Sequence, residues 1–290
     1  MAYLFLATVV ILCTVQNITQ KQYSLKVKHQ DSFMFGAFCS LFAMLFFLIS
    51  SGFSLELSGD YVPYSIGFAV AYASTNIGLF YAVKLGPLSI TLLASSYSLI
   101  IPTLYGVIFK NEKIGAVGYV GLVLLAVSIF MINMKTKKER EQQEKKKVSL
   151  PWLCAVAVMF VGNGMCSTLQ AMQQEACGGA YKNEFMILAL GIVFVALFVF
   201  SIILSRENVF AKIKEGIPYG IVKGVANGIV NLLVMVLTAM LPTAILFPTV
   251  SGGGLVLGFF IAVFYYKEKL NLPQIIGYAI GTVSVVLLNL

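Results

Sequence analysis

The chain carries the segment NEKIGAVGYVGLVLLAVSIFMIN at residues 111–133 and a second version of it, KEKLNLPQIIGYAIGTVSVVLLN, at residues 267–289. Each segment is strongly apolar after a short charged start, and each lies at the end of one half of the chain. The match predicts that one ancestral unit occurs twice in this protein. The identical positions are Glu112 and Glu268, Lys113 and Lys269, Gly121 and Gly277, Val127 and Val283, Ser128 and Ser284, and Asn133 and Asn289.

A second pair of matching segments supports the duplication. Pro63-Tyr64 recurs as Pro218-Tyr219, and the similarity continues as far as Asn76 and Asn231. Internal repeats inside an apolar chain are typical of secondary transporters. We expect a first five-helix repeat at residues 1–134, a charged linker at residues 135–150 and a second five-helix repeat at residues 151–290.

The composition excludes a soluble protein. Hydrophobic residues make up 59% of the chain, charged residues only 11%, and the mean hydropathy is +0.90. Each of ten continuously apolar stretches has about the 20 residues that a helix needs to cross a ~30 Å hydrocarbon core. Because they are not alternating, they predict an all-α integral membrane fold of ten helices rather than a barrel. The stretches are 2–20, 33–51, 61–83, 88–109, 114–133, 151–173, 184–204, 216–238, 242–264 and 271–289.

The distribution of positive charge predicts the topology. Of the 20 Lys and Arg residues, 16 lie in the loops after spans 1, 3, 5, 7 and 9, which should therefore be cytoplasmic, with both termini extracytoplasmic. Five spans per half is an odd number, so the second half must insert upside-down and the repeats are inverted. The charged run Lys135–Lys147 is interpreted as a solvated cytoplasmic linker, with binding to anionic lipid or to a partner as the alternative.

Several classes of site are not expected. No GxxxxGK[ST] phosphate loop is present, so we expect no ATP motor and no cofactor. The five cysteines are scattered, and the single histidine, His29, has no cysteine or histidine neighbours, so a metal site is not expected. Lacking a credible catalytic base, the chain is not expected to be an enzyme, and we expect no nucleic-acid partner.

The two halves resemble the drug/metabolite transporter superfamily, specifically its EamA-type ten-helix members. Each half has a short turn that contains Glu-Lys after its fourth span, at Lys110–Lys113 and at Tyr266–Lys269. Each fourth span also carries a proline, Pro102 or Pro248, although not at equivalent positions. The resemblance implies the ten-helix fold, transport of a metabolite or drug, and a bacterial inner membrane. It does not define the solute.

Polar side chains inside apolar spans are the candidates for a solute site, because lipid offers them no partner. Span 8 has a stripe of glycines at four-residue spacing, Gly216 to Gly228, which would allow another helix to approach closely. Beside it runs a hydrogen-bonding stripe. The candidate solute-binding residues are Lys223, Asn227, Asn231, Asn76, Tyr72, Tyr97 and Ser251, and the candidates for a hinge or for helix packing are Gly252, Gly253, Gly254, Gly220, Gly224 and Gly228.

Three of these assignments have open alternatives. Lys223 lies about 12 Å into span 8 and could hold an anionic or zwitterionic solute, or its ammonium could extend to the headgroups. Asn76 and Asn231 could line the solute site or fix the packing of neighbouring helices. The glycines 252–254 could form an unwound segment or hinge, or a tight helix crossing.

The sequence favours a secondary transporter that moves a small polar or amphipathic metabolite, an amino acid or organic anion above all, by alternating access. Acidic residues fall in loops or at span ends, which favours export by exchange, or facilitated diffusion, over proton antiport. The alternatives are a sodium-coupled symporter of another ten-helix fold and a non-transporting membrane scaffold. We expect a monomer or a homodimer whose partners are its solute and the lipid bilayer.

Overall fold

The computed structural model describes residues 1–86, 88–134, 149–204, 209–265, 267 and 271–289, and the described residues form helices joined by short loops, with no strand among them. A short π-helical segment, Ile261–Tyr265, continues the helix Thr243–Phe260. Most of the predicted charged linker lies outside the described residues. The helices are α1 (Ala2–Lys26), α2 (Ser32–Ser50), α3 (Val62–Leu85), α4 (Leu88–Tyr97), α5 (Ile100–Ile108), α6 (Ala116–Ile132), α7 (Leu150–Ala176), α8 (Lys182–Leu204), α9 (Val209–Thr238), α10 (Thr243–Phe260) and α11 (Leu272–Leu288).

Eight of the described segments are long and apolar enough to cross a membrane, with α4 and α5 together counted as one of them. The two remaining apolar helices, α6 and α11, have 17 residues each. The fourth predicted span, 88–109, contains both α4 and α5, which are separated by a two-residue break at Ser98-Leu99. The apolar pattern could not predict this break, because both sides of it are equally apolar.

The chain packs as two compact units that each draw on both halves of the sequence. Unit 1 comprises residues 1–76 and 169–240, and unit 2 comprises residues 77–168 and 241–290. Helices α3 and α7 each begin in one unit and end in the other. The packing units therefore differ from the two sequence repeats, whose boundaries stay a prediction.

In unit 1, α9 packs against α2 through its glycine stripe. A methyl group at Gly224 would lie 2.6 Å from the carbonyl oxygen of Cys39, and one at Gly220 would lie 2.7 Å from Cβ of Phe38. At Gly228 the nearest atom would be a ring carbon of Phe46, also at 2.6 Å. Real Cβ atoms do not approach this closely, so glycine at these positions is what allows the two helices to meet.

A buried carboxylate fixes one end of unit 1. Asp31 begins α2, and its Oδ1 accepts hydrogen bonds from the backbone N–H groups of Phe33 and Met34. Its Oδ2 accepts from Ser201 Oγ at 2.9 Å and from Lys212 Nζ at 3.2 Å. Since Lys212 is only 6% exposed, this is a buried ion pair whose charges are also satisfied by hydrogen bonds. Asp31 thus joins the α1–α2 turn to α8 and α9.

In unit 2, α6 and α11 are antiparallel and exchange matched hydrogen bonds. Ser128 Oγ donates to the carbonyl oxygen of Gly277, and Ser284 Oγ donates to that of Gly121, each at 2.7 Å. These are equivalent positions of the two matching sequence segments. Gly277 leaves no room for a Cβ, which would lie 2.9 Å from the backbone nitrogen of Ile132, and at Gly121 a Cβ would be tight, 3.0 Å from Cγ of Leu288. Small residues therefore let the two serines reach the opposite backbone.

The Glu-Lys turn of the first half clamps the start of α10. The carboxylate of Glu112 accepts from the backbone N–H groups of Thr243 at 2.9 Å and Ala244 at 2.8 Å. Lys110 Nζ lies 3.3 Å from the same carboxylate and donates to Thr243 Oγ1. A negative charge at a helix N-terminus pairs with the unsatisfied N–H groups and the helix dipole. Its counterpart in the second half, Glu268, lies outside the described residues.

Helix α10 continues through the glycine run. Residues 252–254 lie within Thr243–Phe260, so the unwound alternative does not describe this structure. A Cβ at Gly252 would lie 2.4 Å from Val285 of α11, whereas at Gly254 nothing lies within 4 Å. Tight packing against α11 therefore holds the helix together at Gly252, and the break occurs at Ser98-Leu99 instead.

We predict that Gly224→Ala lowers the free energy of unfolding by about 1–3 kcal/mol, because its methyl group would meet the backbone of α2. Thermal unfolding of the purified protein in detergent measures the change. The matched control is Gly216→Ala on the same stripe, where the nearest atom to a new Cβ is 3.5 Å away, and this variant should be as stable as the parent or more so. Equal losses in both variants would contradict the glycine-mediated contact.

We predict that Glu112→Gln lowers the free energy of unfolding at neutral pH by about 1–3 kcal/mol, the range for charge-assisted hydrogen bonds. Burial alone would raise the pKa of Glu112, but the N–H groups of Ala244 and Thr243 outweigh it and hold the pKa below its ordinary value. A depressed carboxyl pKa stabilises the fold above the unfolded-state pKa, and this stabilisation is lost as the pH falls through the folded-state pKa. The difference between parent and variant should therefore shrink in acid. Thermal unfolding across pH 7 to 3 tests this, and a pH-independent difference would contradict it.

Candidate functional site

A column of hydrogen-bonded polar side chains runs between α1 and α9 in unit 1. Lys223 Nζ donates to Gln20 Oε1, and one helical turn further along Asn227 Nδ2 donates to Gln16 Oε1 at 3.2 Å. The ammonium of Lys223 also lies 5.1 Å from the centre of the Phe35 ring, a cation–π contact. On each helix the two residues are four positions apart and therefore lie on one face. Because α1 and α9 run antiparallel, the two hydrogen-bonded pairs lie one helical turn apart.

The column continues from α9 to α7. Asn231 Nδ2 donates to the backbone carbonyl oxygen of Asn227 and to its side-chain Oδ1. Asn231 Oδ1 in turn accepts from Gln170 Nε2. Beyond Gln170, which is 4% exposed, two further buried amides follow on α7: Gln173 donates to the carbonyl oxygen of Ala180, and Gln174 donates to Gln173. From Lys223 to Asn231 the column extends about 12 Å along α9. Polar groups inside apolar helices are costly unless paired, and from Lys223 to Gln170 the column pairs them with one another.

The sequence candidates of α3 lie elsewhere in unit 1. Asn76 Nδ2 donates to the carbonyl oxygen of Tyr72 on its own helix at 2.8 Å, and its amide faces α2 near Gly36. The ring of Tyr72 stacks on that of Phe68, with centroids 5.9 Å apart. The pair Asn76 and Asn231 is therefore not joined by a hydrogen bond, and only Asn231 belongs to the column.

Unit 2 contains a cavity of about 200 Å³ at the break between α4 and α5. Hydroxyl groups from α4, α7 and α10 line one side of it, and Asn163 of α7 closes it by donating to Ser98 Oγ and to the carbonyl oxygen of Ser95. Ser251 is the one sequence candidate that lines this cavity. The lining residues are Ser95, Ser96, Ser98, Leu99, Ile129, Asn163, Gly164, Ser167, Phe247, Ser251 and Leu255.

Tyr97 lies beside the cavity but does not line it. Its hydroxyl donates to the carbonyl oxygen of Ala126 on α6 at 2.6 Å, and its ring lines an apolar groove of about 350 Å³ between α4–α5 and α6. The contact positions α4 against α6, so Tyr97 acts on packing here. The groove is bordered by Leu104 and Val123, which are 47% and 64% exposed, as expected of side chains that face lipid.

Gln16, Gln20, Gln170 and Asn163 are polar residues inside apolar spans and so were further candidates from the sequence, although not among the principal ones, whereas Ser167 was not a candidate. For the two glutamines of α1 a signal existed, since residues four apart share a helix face. For Asn163 and Ser167 the same spacing holds, but nothing in the sequence indicates that the break at Ser98 faces them. Within the described residues, no group of three or more histidine, cysteine or acidic side chains could hold a metal ion.

These features define a helical integral membrane protein with a polar interior. Among the solved structures that match, one crystal structure of a protein aligns with 100% of this chain, and the alignment includes 98% of that protein's own chain. The TM-score is 0.74 and the sequence identity is 11%. At this identity the likeness concerns the fold alone. Neither a family model nor a curated protein matches the chain.

We predict that Lys223 and Gln20 are energetically coupled. In a double-mutant cycle of Lys223→Met and Gln20→Leu, measured by thermal unfolding, the coupling free energy should be about 1 kcal/mol, because each single variant leaves the other polar group unpaired. The control cycle combines Lys223→Met with Asn76→Ala, which removes an amide that bonds only its own helix in this structure. That control should be additive within about 0.5 kcal/mol. An additive first cycle would contradict the pairing.

Proposed function

We propose that this protein is a secondary transporter that moves a small polar or amphipathic metabolite across the membrane by alternating access, as an exporter or exchanger. The observation that carries the proposal is the polar column of α1, α7 and α9. A bundle that only had to fold in lipid would be built at lower cost from apolar side chains, so a continuous set of amides and an ammonium favours a path for a hydrogen-bonding solute.

Ten spans in two inverted repeats are part of the proposal. At 17 residues, α6 and α11 are about 25 Å long, close to the lower limit for crossing a hydrocarbon core. Their reciprocal bonds between equivalent positions, Ser128 with Gly277 and Ser284 with Gly121, support the inversion, because two copies related by a two-fold axis in the membrane plane run antiparallel. This arrangement agrees with the resemblance to EamA-type transporters.

Flux through proteoliposomes tests the function. The purified protein is reconstituted and assayed for exchange of labelled amino acids, organic acids, polyols and amides. We expect at least one class to exchange faster than in empty liposomes, and we expect Asn227→Ala and Lys223→Gln to reduce that flux by about tenfold or more, since each removes a group that lines the solute path.

The matched control for these variants is Ser40→Ala. Ser40 is also polar and buried in unit 1, but its hydroxyl bonds the carbonyl oxygen of Gly36 on its own helix. This variant should transport at the parental rate. If both column variants transport at the parental rate, the column serves helix packing and does not line a solute path. If the parent protein exchanges none of the solute classes, the transport proposal is overturned.

A further inference from the structure

The cavity of unit 2 presents hydrogen-bonding groups that no described residue satisfies. The hydroxyls of Ser95, Ser167 and Ser251 make no hydrogen bond with the described part of the chain, and the side-chain oxygen of Asn163 accepts none there. By contrast, Ser98 Oγ donates to the carbonyl oxygen of Ser95 and accepts from Asn163. The four residues with unpaired groups are only half-buried, and a few unpaired polar groups that converge on one cavity are the usual lining of a small-molecule site.

The unpaired groups belong to three helices and converge because of two local features. The break at Ser98-Leu99 ends α4 beside α7, where Gly164 allows the contact: a Cβ there would lie 2.7 Å from the carbonyl oxygen of Ser98. Asn163 and Ser167 are four residues apart and so lie on the same face of α7. Ser95 and Ser251 occupy equivalent positions of the two halves. The arrangement is therefore built by the fold and is not a chance gap.

Among the described residues, no charged side chain lines the cavity. Its polar side consists of neutral hydroxyls and one amide, and its other side is apolar, with Leu99, Ile129, Phe247 and Leu255. A charged solute would have to leave water without a counter-charge, which costs far more than neutral hydroxyls return. In unit 1, the ammonium of Lys223 is already bonded to Gln20 and lies over Phe35.

We propose that this cavity is a binding site for an uncharged solute that carries hydroxyl or amide groups. The solute's O–H or N–H donates to Asn163 Oδ1, and the hydroxyls of Ser95, Ser167 and Ser251 donate to or accept from its remaining polar atoms. Its carbon skeleton contacts Phe247 and Leu255. This inference rests on the proposed transport function and narrows it, since the sequence alone favoured amino acids and organic anions.

Binding of matched probes tests the charge class. The full-length protein in nanodiscs is titrated with xylitol against xylonate, and with nicotinamide against nicotinate, each pair being similar in size and different in charge. At least one uncharged probe should bind, and its charged partner should bind at least tenfold more weakly. Equal or tighter binding of the charged partners, or no binding of either uncharged probe, would overturn the proposal.

Single-hydroxyl variants test the location. Ser251→Ala and Ser167→Ala should each weaken binding of the uncharged probe by about 3- to 10-fold, the effect of one hydrogen bond. The control is Thr168→Val, which lies on α7 next to Ser167 but does not line the cavity, and whose hydroxyl donates to the carbonyl oxygen of Gly164 on its own helix. That variant should bind within about twofold of the parent. Equal losses of binding in all three variants would overturn the assignment of the solute to this cavity. Thermal unfolding verifies that each variant is folded.

Flux of the same probes separates the two proposals. If the uncharged probes bind and the variants weaken binding as expected, but the probes do not cross the proteoliposome membrane, the binding site stands and the transport proposal is overturned. Flux of charged solutes that is unaffected by Ser251→Ala and Ser167→Ala would retain transport and overturn the binding site.

Discussion

Lipid gives polar groups no hydrogen-bond partner, and this constraint explains the arrangement of the polar groups in both units. Polar side chains inside the spans are costly unless the protein satisfies them, and the structure satisfies several of them in pairs across helices. Lys223 pairs with Gln20, Ser128 with the backbone of Gly277, and Asp31 with Lys212. The hydroxyls of Ser95, Ser167 and Ser251 in the unit 2 cavity are not paired in this way with the described part of the chain, which leaves them available to a ligand.

Glycine residues allow the close helix contacts that these hydrogen bonds require. A serine hydroxyl can reach a backbone carbonyl on another helix only if the helix axes are close, and Gly121 and Gly277 allow that approach. On α9, the glycines pack against α2 while the adjacent stripe turns its amides toward α1. One helix thus combines tight packing and hydrogen bonding on neighbouring faces, because residues next to each other in sequence are about 100° apart.

Much of the helical layout could be predicted from the sequence, since length and hydropathy are local properties. The stripe from Gly216 to Gly228 and the amides beside it also follow from spacing alone. The partners could not be predicted in this way: Gln20 is 203 residues from Lys223, and Glu112 is 131 residues from Thr243. Likewise, glycines 252–254 were compatible with an unwound segment or hinge and with a tight helix crossing. In the structure α10 is continuous and Gly252 packs against Val285, whereas Ser98-Leu99 interrupts α4–α5 without any glycine.

The separation of these partners along the chain has a consequence for biogenesis. Helix α1 leaves the ribosome with Gln16 and Gln20 on its surface, but their partners on α9 are synthesised about 200 residues later. At 5–20 residues per second this interval is roughly 10–40 s. During it, the polar face of α1 must be shielded by the insertion machinery or remain at the interface. The hydrogen bonds between α1 and α9 can therefore form only after α9 has been synthesised, so the packing of α1 in unit 1 is completed late in synthesis.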